Sequence, residues 1–283
     1  MTAKTNIFIL ASAKYSLTKD FCMTKEKLIK NQALNSLKGS WLILIAMALV
    51  ISAVIIALSG FGTIIQLITK SFDITTNTAK PGKEFLFELV NGISVAVMFF
   101  LSPLINGFFK SAYTAAHNEI PKIWDLFSFF KSAKLYFKAI LLNLMFCIIL
   151  SAAAFAFDFD YLIKIIMDSV SNNDILAAVL QPVLNVGFGA VSVFLISFVY
   201  LFFVNYAMFL FVDDPKSNVF SCFGKGVKMF VKNFGNTMKL YFSFIGWIAL
   251  CFFVVPTFYV LPYITTTFAT SAKWLISIEK GRN

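Results

Sequence analysis

The sequence contains few of the side chains that enzymes use for catalysis. Its 283 residues include one histidine, His117, and four cysteines, Cys22, Cys147, Cys222 and Cys251, which form no C-x-x-C pair. One imidazole does not make a zinc site by itself, and thiols within apolar runs behave as small hydrophobic groups. The sequence also lacks the H-E-x-x-H, G-x-S-x-G and phosphate-loop patterns. We therefore predict no catalytic, cofactor or metal site, and a protein that is not an enzyme.

Charged residues are also scarce, and they fall between apolar runs. They make up 13% of the chain, whereas apolar residues make up 59%. A single soluble core cannot bury that much apolar surface, so the bilayer must serve as part of the solvent. The net charge of +10 comes from lysines in the connecting segments, where lysines set topology and contact headgroups. We expect anionic lipid headgroups as partners and no nucleic acid, and the residues identify no protein partner.

Long apolar runs predict an all-α, polytopic transmembrane bundle. Four runs, about 41–68, 89–109, 139–157 and 183–212, approach or exceed the roughly 20 residues that cross a bilayer. The last apolar region, 240–278, contains Pro256 and Pro262 near its middle. It forms either one span and a surface helix, or two spans, 240–254 and 258–278, that turn near Val255–Thr257. Six spans within a membrane domain of residues 41–278 are our prediction, and five are the alternative.

The distribution of basic residues predicts the orientation. With six spans and a cytoplasmic N-terminus, 20 of the 24 basic residues lie inside; five spans lower that number to 17. Both ends, including the tail 279–283 with Lys280 and Arg282, are therefore expected in the cytoplasm. The single arginine and 35 phenylalanines suggest an AT-rich bacterial genome, and so a multi-pass protein of the bacterial cytoplasmic (inner) membrane.

The N-terminal residues show no clear targeting signal. The apolar stretch Ile7–Leu10 is shorter than the hydrophobic region of a signal peptide. Residues 1–22 are interpreted either as a disordered extension or as the product of an upstream start codon, with Met23 as the true start. A cytoplasmic amphipathic helix is expected over residues 23–40, immediately before the first span.

Three connecting segments, 25–38, 121–138 and 219–234, have amphipathic patterns. In the second, Ile123, Phe127, Phe130 and Lys134 follow helical spacing, and in the third, phenylalanines and valines alternate with lysines at helical steps. Such helices lie in the interface of an anionic leaflet. The alternative is that the three segments are short connectors packed under the bundle. Headgroup contacts are predicted for Lys131, Lys134, Lys225, Lys228 and Lys232.

Amides are the main polar groups inside the predicted spans. The first, third, fourth and fifth spans contain no charged residue, which argues against a proton relay. Asn106, Asn143 and Asn205 either join helices by hydrogen bonds or line a polar path for a neutral or lipidic solute. Two hypotheses follow. The first is a non-enzymatic membrane protein that binds lipid or a partner, and the alternative is a permease-like or export component for a neutral or hydrophobic solute.

Several short motifs suggest a family. Phe242–Trp247 (FSFIGW), followed by Pro262-Tyr263, resembles the S-F-I-G-W and P-Y pattern of a bacterial membrane-protein family catalogued as domain of unknown function 975. Further matches in the same order are NQALNSLKGSW at 31–41, Pro103-Leu104 with Gly107, Leu126-Phe127 with Phe130, and Asp214-Pro215 before Ser221. The resemblance covers residues 25–278. It implies an integral membrane protein and assigns no biochemical activity.

Overall fold

The structure is a computed structural model, and it describes residues 25–73, 78–170, 174–251 and 254–280. The predictions for residues 1–22 and for Arg282 lie outside these residues. Twelve α-helices are present in the described part: α1 Lys25–Ser36, α2 Trp41–Ile68, α3 Glu84–Leu101, α4 Pro103–Ala116, α5 Ala133–Ala156, α6 Asp160–Val170, α7 Asp174–Tyr200, α8 Tyr206–Asp213, α9 Val219–Lys232, α10 Phe234–Phe242, α11 Ile245–Leu250 and α12 Val254–Lys280. A 3-10 helix covers Ile123–Phe130, a π-helix covers Leu201–Asn205, and β1 Phe72–Asp73 pairs antiparallel with β2 Thr78–Ala79.

Four helical stretches in the described residues are long and apolar enough to cross a membrane. They are Trp41–Ile68, Glu84–Ala116, Ala133–Asp168 and Leu180–Asp213. The first four predicted spans lie within them. Their surfaces fit a lipid environment, because large apolar side chains such as Ile56, Phe155 and Val186 are mostly exposed. The chain is therefore all-α, with the helices of a polytopic membrane protein.

The last apolar region differs from the prediction, and six spans are not confirmed. The predicted fifth span, 240–254, is interrupted at Ser243-Phe244, and the following α11 has six residues, or about 9 Å of rise. The expected turn at Val255–Thr257 is also wrong, because these residues form the first turn of α12, where proline is tolerated. Pro262 lies inside α12 without ending it. Neither predicted span, 240–254 or 258–278, is among the four candidate spans of the described residues.

The segment 121–138 is not one amphipathic helix, so that prediction is wrong. Its first part is the 3-10 helix Ile123–Phe130, and α5 begins only at Ala133, after an extended Ser132. A 3-10 helix has about three residues per turn, so the spacing of Phe127, Phe130 and Lys134 does not describe one continuous face. The second span is also broken: α3 ends at Leu101 and α4 begins at Pro103, which has no backbone N–H for a regular helical hydrogen bond.

The described residues divide into two compact units. The first contains those of 1–50, 108–125 and 233–283. In it, α1 packs on α12, with Ile29, Ala33 and Leu37 buried. Every residue of α12 from Thr266 to Ala272 is buried as well. Because these residues are mostly small or carry a hydroxyl, they allow neighbouring backbones to approach closely.

The second unit contains the described residues of 51–107 and 126–232. Here α9 packs on α8 and on the π-helix. Aromatic side chains fill this contact: Phe223 stacks on Phe203 with ring centroids 5.9 Å apart, and Phe230 meets Phe202 edge-on at 4.9 Å. Gly226 is buried against Ala207, so the absence of a side chain lets the two helices approach each other.

Candidate functional site

Two of the three predicted intramembrane asparagines meet in the second unit. Asn143, on α5, donates from Nδ2 to Oδ1 of Asn106, on α4, over 2.7 Å, and also lies 2.9 Å from the hydroxyl oxygen of Ser102. Asn106 Nδ2 in turn lies 3.3 Å from the sulfur of Met208, on α8. The hydrogen bonds thus connect α4, α5 and α8 through side chains that are almost completely buried. We call Ser102, Asn106, Asn143, Asn205 and Met208 the amide cluster.

The third asparagine, Asn205, is grouped with them because it lies about one helical turn before Met208. It is the last residue of the π-helix and precedes Met208 by three residues, which places both on one side of the helix. Asn205 is 2% exposed, and its Nδ2 atom has no hydrogen-bond partner among the residues that the structure describes. Buried amide donors without partners are unusual, and π-helical turns often occur at functional sites. Asn205 Nδ2 is therefore a buried donor without a partner among the described residues.

The depth of the cluster can be worked out from helix rise. Asn106 lies ten residues before the end of α4, Asn143 ten residues after the start of α5, and Asn205 eight residues before the end of α8. At 1.5 Å per residue, all three lie about 12–15 Å from the helix ends on the side of the 117–132 connector. Inside hydrocarbon, paired amides stabilise helix association by up to about 1–2 kcal/mol. The Asn106–Asn143 pair therefore joins helices, whereas Asn205 Nδ2 has no such partner in the described part of the chain.

A backbone carbonyl beside the break in the second span accepts a hydrogen bond from a neighbouring helix. The hydroxyl of Tyr136 on α5 donates to the Phe100 carbonyl, next to the break, over 3.0 Å. Helix breaks at membrane depth persist only where the freed backbone groups find such partners. The backbone of Gly107, on α4, packs against that of Leu126, so a side chain at this position would clash.

The predicted headgroup lysines occupy two separate places in the second unit. Lys225, Lys228 and Lys232 lie together on one exposed side of α9, next to the side that buries Cys222, Gly226 and Met229. Lys134 is exposed in the first turn of α5, and Lys131 is exposed in the break that precedes it. The α9 lysines thus share one helix face. Lys131 and Lys134 do not lie on the helix that was predicted for them.

The α9 lysines have exposed apolar neighbours. Phe220 is 61% exposed and Val231 is 58% exposed, and helical geometry places them together between the buried side and the lysines. The predicted apolar face is therefore divided: Phe223 and Phe230 pack into the protein, whereas Phe220 and Val231 do not. We call Phe220, Lys225, Lys228, Val231 and Lys232 the α9 face.

The loop before α9 is held by Lys138, which lies in the second turn of α5. Lys138 Nζ lies 2.6 Å from the carbonyl oxygen of Lys216 and 2.7 Å from that of Ser217. Ser217 contacts the thiol of Cys222 at 2.7 Å. Burial raises the pKa of that thiol, which keeps it protonated at neutral pH. This loop fixes where α9 begins.

A second lysine explains part of the S-F-I-G-W motif in the first unit. Lys30, on α1, donates to the carbonyl of Ser243 over 2.8 Å and lies 4.0 Å above the ring of Phe244. Burial lowers the pKa of Lys30, and Glu26 opposes this effect. Trp247 packs against Tyr259 and edge-on against Tyr263. The motif therefore holds α10, α11 and α12 on α1 and supplies no reactive group.

Three contacts were missed by sequence reasoning. Ser102 lies four residues before Asn106, a spacing that would have suggested a shared helix face. Met208 and Lys138 gave no signal, because thioethers and connector lysines are common in such chains. His117 binds the Tyr113 carbonyl through Nδ1 at 2.9 Å, as a structural histidine does. In the described residues, no three His, Cys, Asp or Glu side chains group as metal ligands.

The four apolar helical stretches and the buried amides place the chain in the class of α-helical polytopic membrane proteins. A family model, described as "Protein of unknown function (DUF975)", matches residues 23–271. The chain belongs to that family, as the motifs in its sequence suggested. No curated protein and no solved structure matches it.

Proposed function

We propose that this is a non-enzymatic membrane protein whose α9 face binds anionic lipid headgroups at the cytoplasmic surface of a bacterial inner membrane. The observation that carries the proposal is the composition of that face, in which three exposed lysines adjoin exposed Phe220 and Val231. Apolar side chains enter the headgroup region while lysines pair with phosphates, which is how interfacial helices bind anionic leaflets. The opposite side of α9 packs on the fourth span, so the helix is held near the membrane.

The orientation that this function needs is supported by contacts in the first unit. Ser36, before the first span, donates to Oδ1 of Asn118, after the second span, over 2.9 Å. Lys273, near the end of α12, donates to the Ala116 carbonyl over 2.9 Å. The chain before span 1, the connector after span 2 and the end of α12 therefore meet within the first unit. The excess of lysines in these segments favours the cytoplasm for them.

We further propose that α12 crosses the membrane and that the C-terminus is cytoplasmic, as in the six-span topology. From Val254 to Lys273 the helix rises about 28 Å, which is close to the thickness of the hydrocarbon core. A single cysteine placed at Lys280 in a cysteine-free background should react with an impermeant maleimide only after the cells are opened. Labelling in intact cells would rule this topology out and favour five spans.

The lipid proposal is tested by counting lipids that stay bound to the purified protein. Native mass spectrometry would measure retention of phosphatidylglycerol and phosphatidylcholine by the wild type and by the triple variant Lys225→Gln/Lys228→Gln/Lys232→Gln. Each lysine near an anionic surface contributes about 1 kcal/mol, so the variant should bind phosphatidylglycerol roughly a hundredfold more weakly. Phosphatidylcholine binding should change little.

A second triple variant with the same change in charge serves as the control. The lysines of this control are predicted to lie on the outer side of the membrane, so phosphatidylglycerol retention should stay near the wild-type value. Equal losses in both variants would mean that overall charge, and not the α9 face, governs binding, and the proposal would fail. The control substitutions are Lys70→Gln, Lys80→Gln and Lys164→Gln.

A permease-like function is the second candidate, and the unpaired Asn205 donor favours it. In this case a neutral solute would accept a hydrogen bond from Asn205 Nδ2 inside the membrane. Proteoliposomes carrying the wild type would then swell in glycerol faster than proteoliposomes carrying Asn205→Leu, with similar amounts of folded protein in both. Identical swelling by the two would remove the support for this candidate.

A further inference from the structure

A polar cleft in the first unit lies apart from both sites described above. It has a volume of about 400 Å³, which is in the range of small-molecule sites. It opens where α1 and α4 end and beside the last turns of α12. Its lining includes Gln32, Asn35, Asn118, Lys273, Trp274 and Ser277.

The lining supplies one positive charge and several neutral hydrogen-bonding groups. The ammonium of Lys273 has three donors, and the Ala116 carbonyl accepts one of them. The amide of Asn118 accepts from Ser36, which leaves its NH₂ group as a donor. Gln32 and Asn35 contribute exposed amides. None of the described residues that line the cleft carries a carboxylate.

This combination fits an anion with one negative charge and several acceptor oxygens. A phosphate diester has both, because it carries one charge and its oxygens accept hydrogen bonds from ammonium and amide groups. A neutral ligand would leave the lysine charge uncompensated, whereas a strongly charged anion would need more cations than Lys273 alone. Trp274 at the edge of the cleft is 47% exposed, and tryptophans are typical of the level of lipid headgroups.

We infer that this cleft binds the phosphate group of a singly charged phosphate ester, with Lys273 as the charge partner and Asn35 and Asn118 as hydrogen-bond donors. The inference does not depend on the α9 face, which belongs to the other unit. The cleft would bind a single ligand at a defined site, whereas the α9 face is proposed to attract anionic lipids in general.

The experiment measures binding of dihexanoylphosphatidylglycerol to the full-length protein in a neutral detergent, by native mass spectrometry. The wild type should bind one molecule more tightly than the rest. Lys273→Met should lower the affinity for that molecule about tenfold or more, which is the scale of one charge-assisted hydrogen bond. Asn35→Asp should weaken it similarly through repulsion, and it leaves the Lys273–Ala116 contact in place if Lys273→Met folds poorly. Lys38→Met, a substitution of an exposed lysine in the same unit, should have no effect.

A competition arm identifies the source of the phosphate. If inorganic phosphate displaces the lipid at a similar concentration, the ligand is free phosphate and the assignment to a phosphate ester is wrong; if it does not, the site takes the ester of the lipid headgroup. The inference is overturned if Lys273→Met and Asn35→Asp both bind the lipid as the wild type does, or if Lys38→Met loses as much binding. The α9 triple variant should keep this one tightly bound molecule, so failure here is distinguishable from failure of the proposed function.

Discussion

The close contact between α9 and α8 is tested by substitutions of two glycines on one helix. Gly224 and Gly226 are two residues apart on α9, but their surroundings differ. A Cβ atom on Gly226 would lie 2.6 Å from the Ala207 nitrogen and 2.8 Å from its Cα, whereas a Cβ atom on Gly224 would meet nothing within 4 Å. Ordinary contacts between carbon atoms are about 3.5–4.0 Å, so Gly226→Ala must move the helices apart by about 1 Å.

The two substitutions should therefore differ in their effect on stability. Replacing glycine by alanine within a helix stabilises it by about 1 kcal/mol. Gly224→Ala should gain that amount, because it creates no clash. For Gly226→Ala, an overpacking cost of about 1–3 kcal/mol offsets or exceeds the gain. The pair should differ by about 2 kcal/mol, which corresponds to roughly 4–8 °C in melting temperature.

Thermal unfolding in detergent, followed by circular dichroism, measures this difference. A second readout is the reactivity of Cys222, which is buried on the same side of α9 as Gly226. Gly226→Ala should expose this thiol to maleimide, and Gly224→Ala should not. If both variants melt at the same temperature and leave Cys222 equally protected, α9 does not pack on α8 as described, and the reasoning about its exposed face is refuted.

Three further predictions concern other contacts. Asn143→Leu should lower stability by about 1–2 kcal/mol, because it removes the hydrogen bond to Asn106. The control Asn185→Leu, at an exposed site, should not lower it. Thermal melting of both variants measures the difference. Lys30→Met should destabilise the protein by about 1 kcal/mol through loss of the α1 contact to the 243–244 break, and an equal loss from substituting an exposed α1 lysine would contradict this. Because burial raises the pKa of Cys222, its alkylation should be slow at pH 7.5 and should accelerate once the protein is unfolded; fast reaction of the folded protein would be the contrary result.

The spans were readable from the sequence because hydrophobic length is a local property. The first apolar run coincides with α2, and the break at Pro103 follows from the missing backbone donor of proline. A hydrogen bond between Asn106 and Asn143 was one of two interpretations of these residues, and a polar path for a solute was the other. The choice between them required knowledge of which helices are neighbours, which a single sequence does not contain.

The remaining differences have no mark in the local sequence pattern. The break at Ser243-Phe244 is held by Lys30, a residue 213 positions away, so no local pattern marks it. The 3-10 helix before α5 repeats apolar residues at spacings that an α-helix also uses, and only the restart at Ser132 separates the two. The π-helix carries no distinctive residue type. At Ser243-Phe244 a tertiary contact thus overrides the local pattern.

The central claim is that the α9 face lies in the headgroup layer, and the position of Val231 tests it most directly. A fluorescent label on Val231→Cys, in a cysteine-free background in nanodiscs containing phosphatidylglycerol, would be exposed in turn to a lipid with a nitroxide at its headgroup and to a water-soluble quencher. We expect strong quenching by the nitroxide lipid and weak quenching from solution. Strong quenching from solution with none from the lipid would contradict the account.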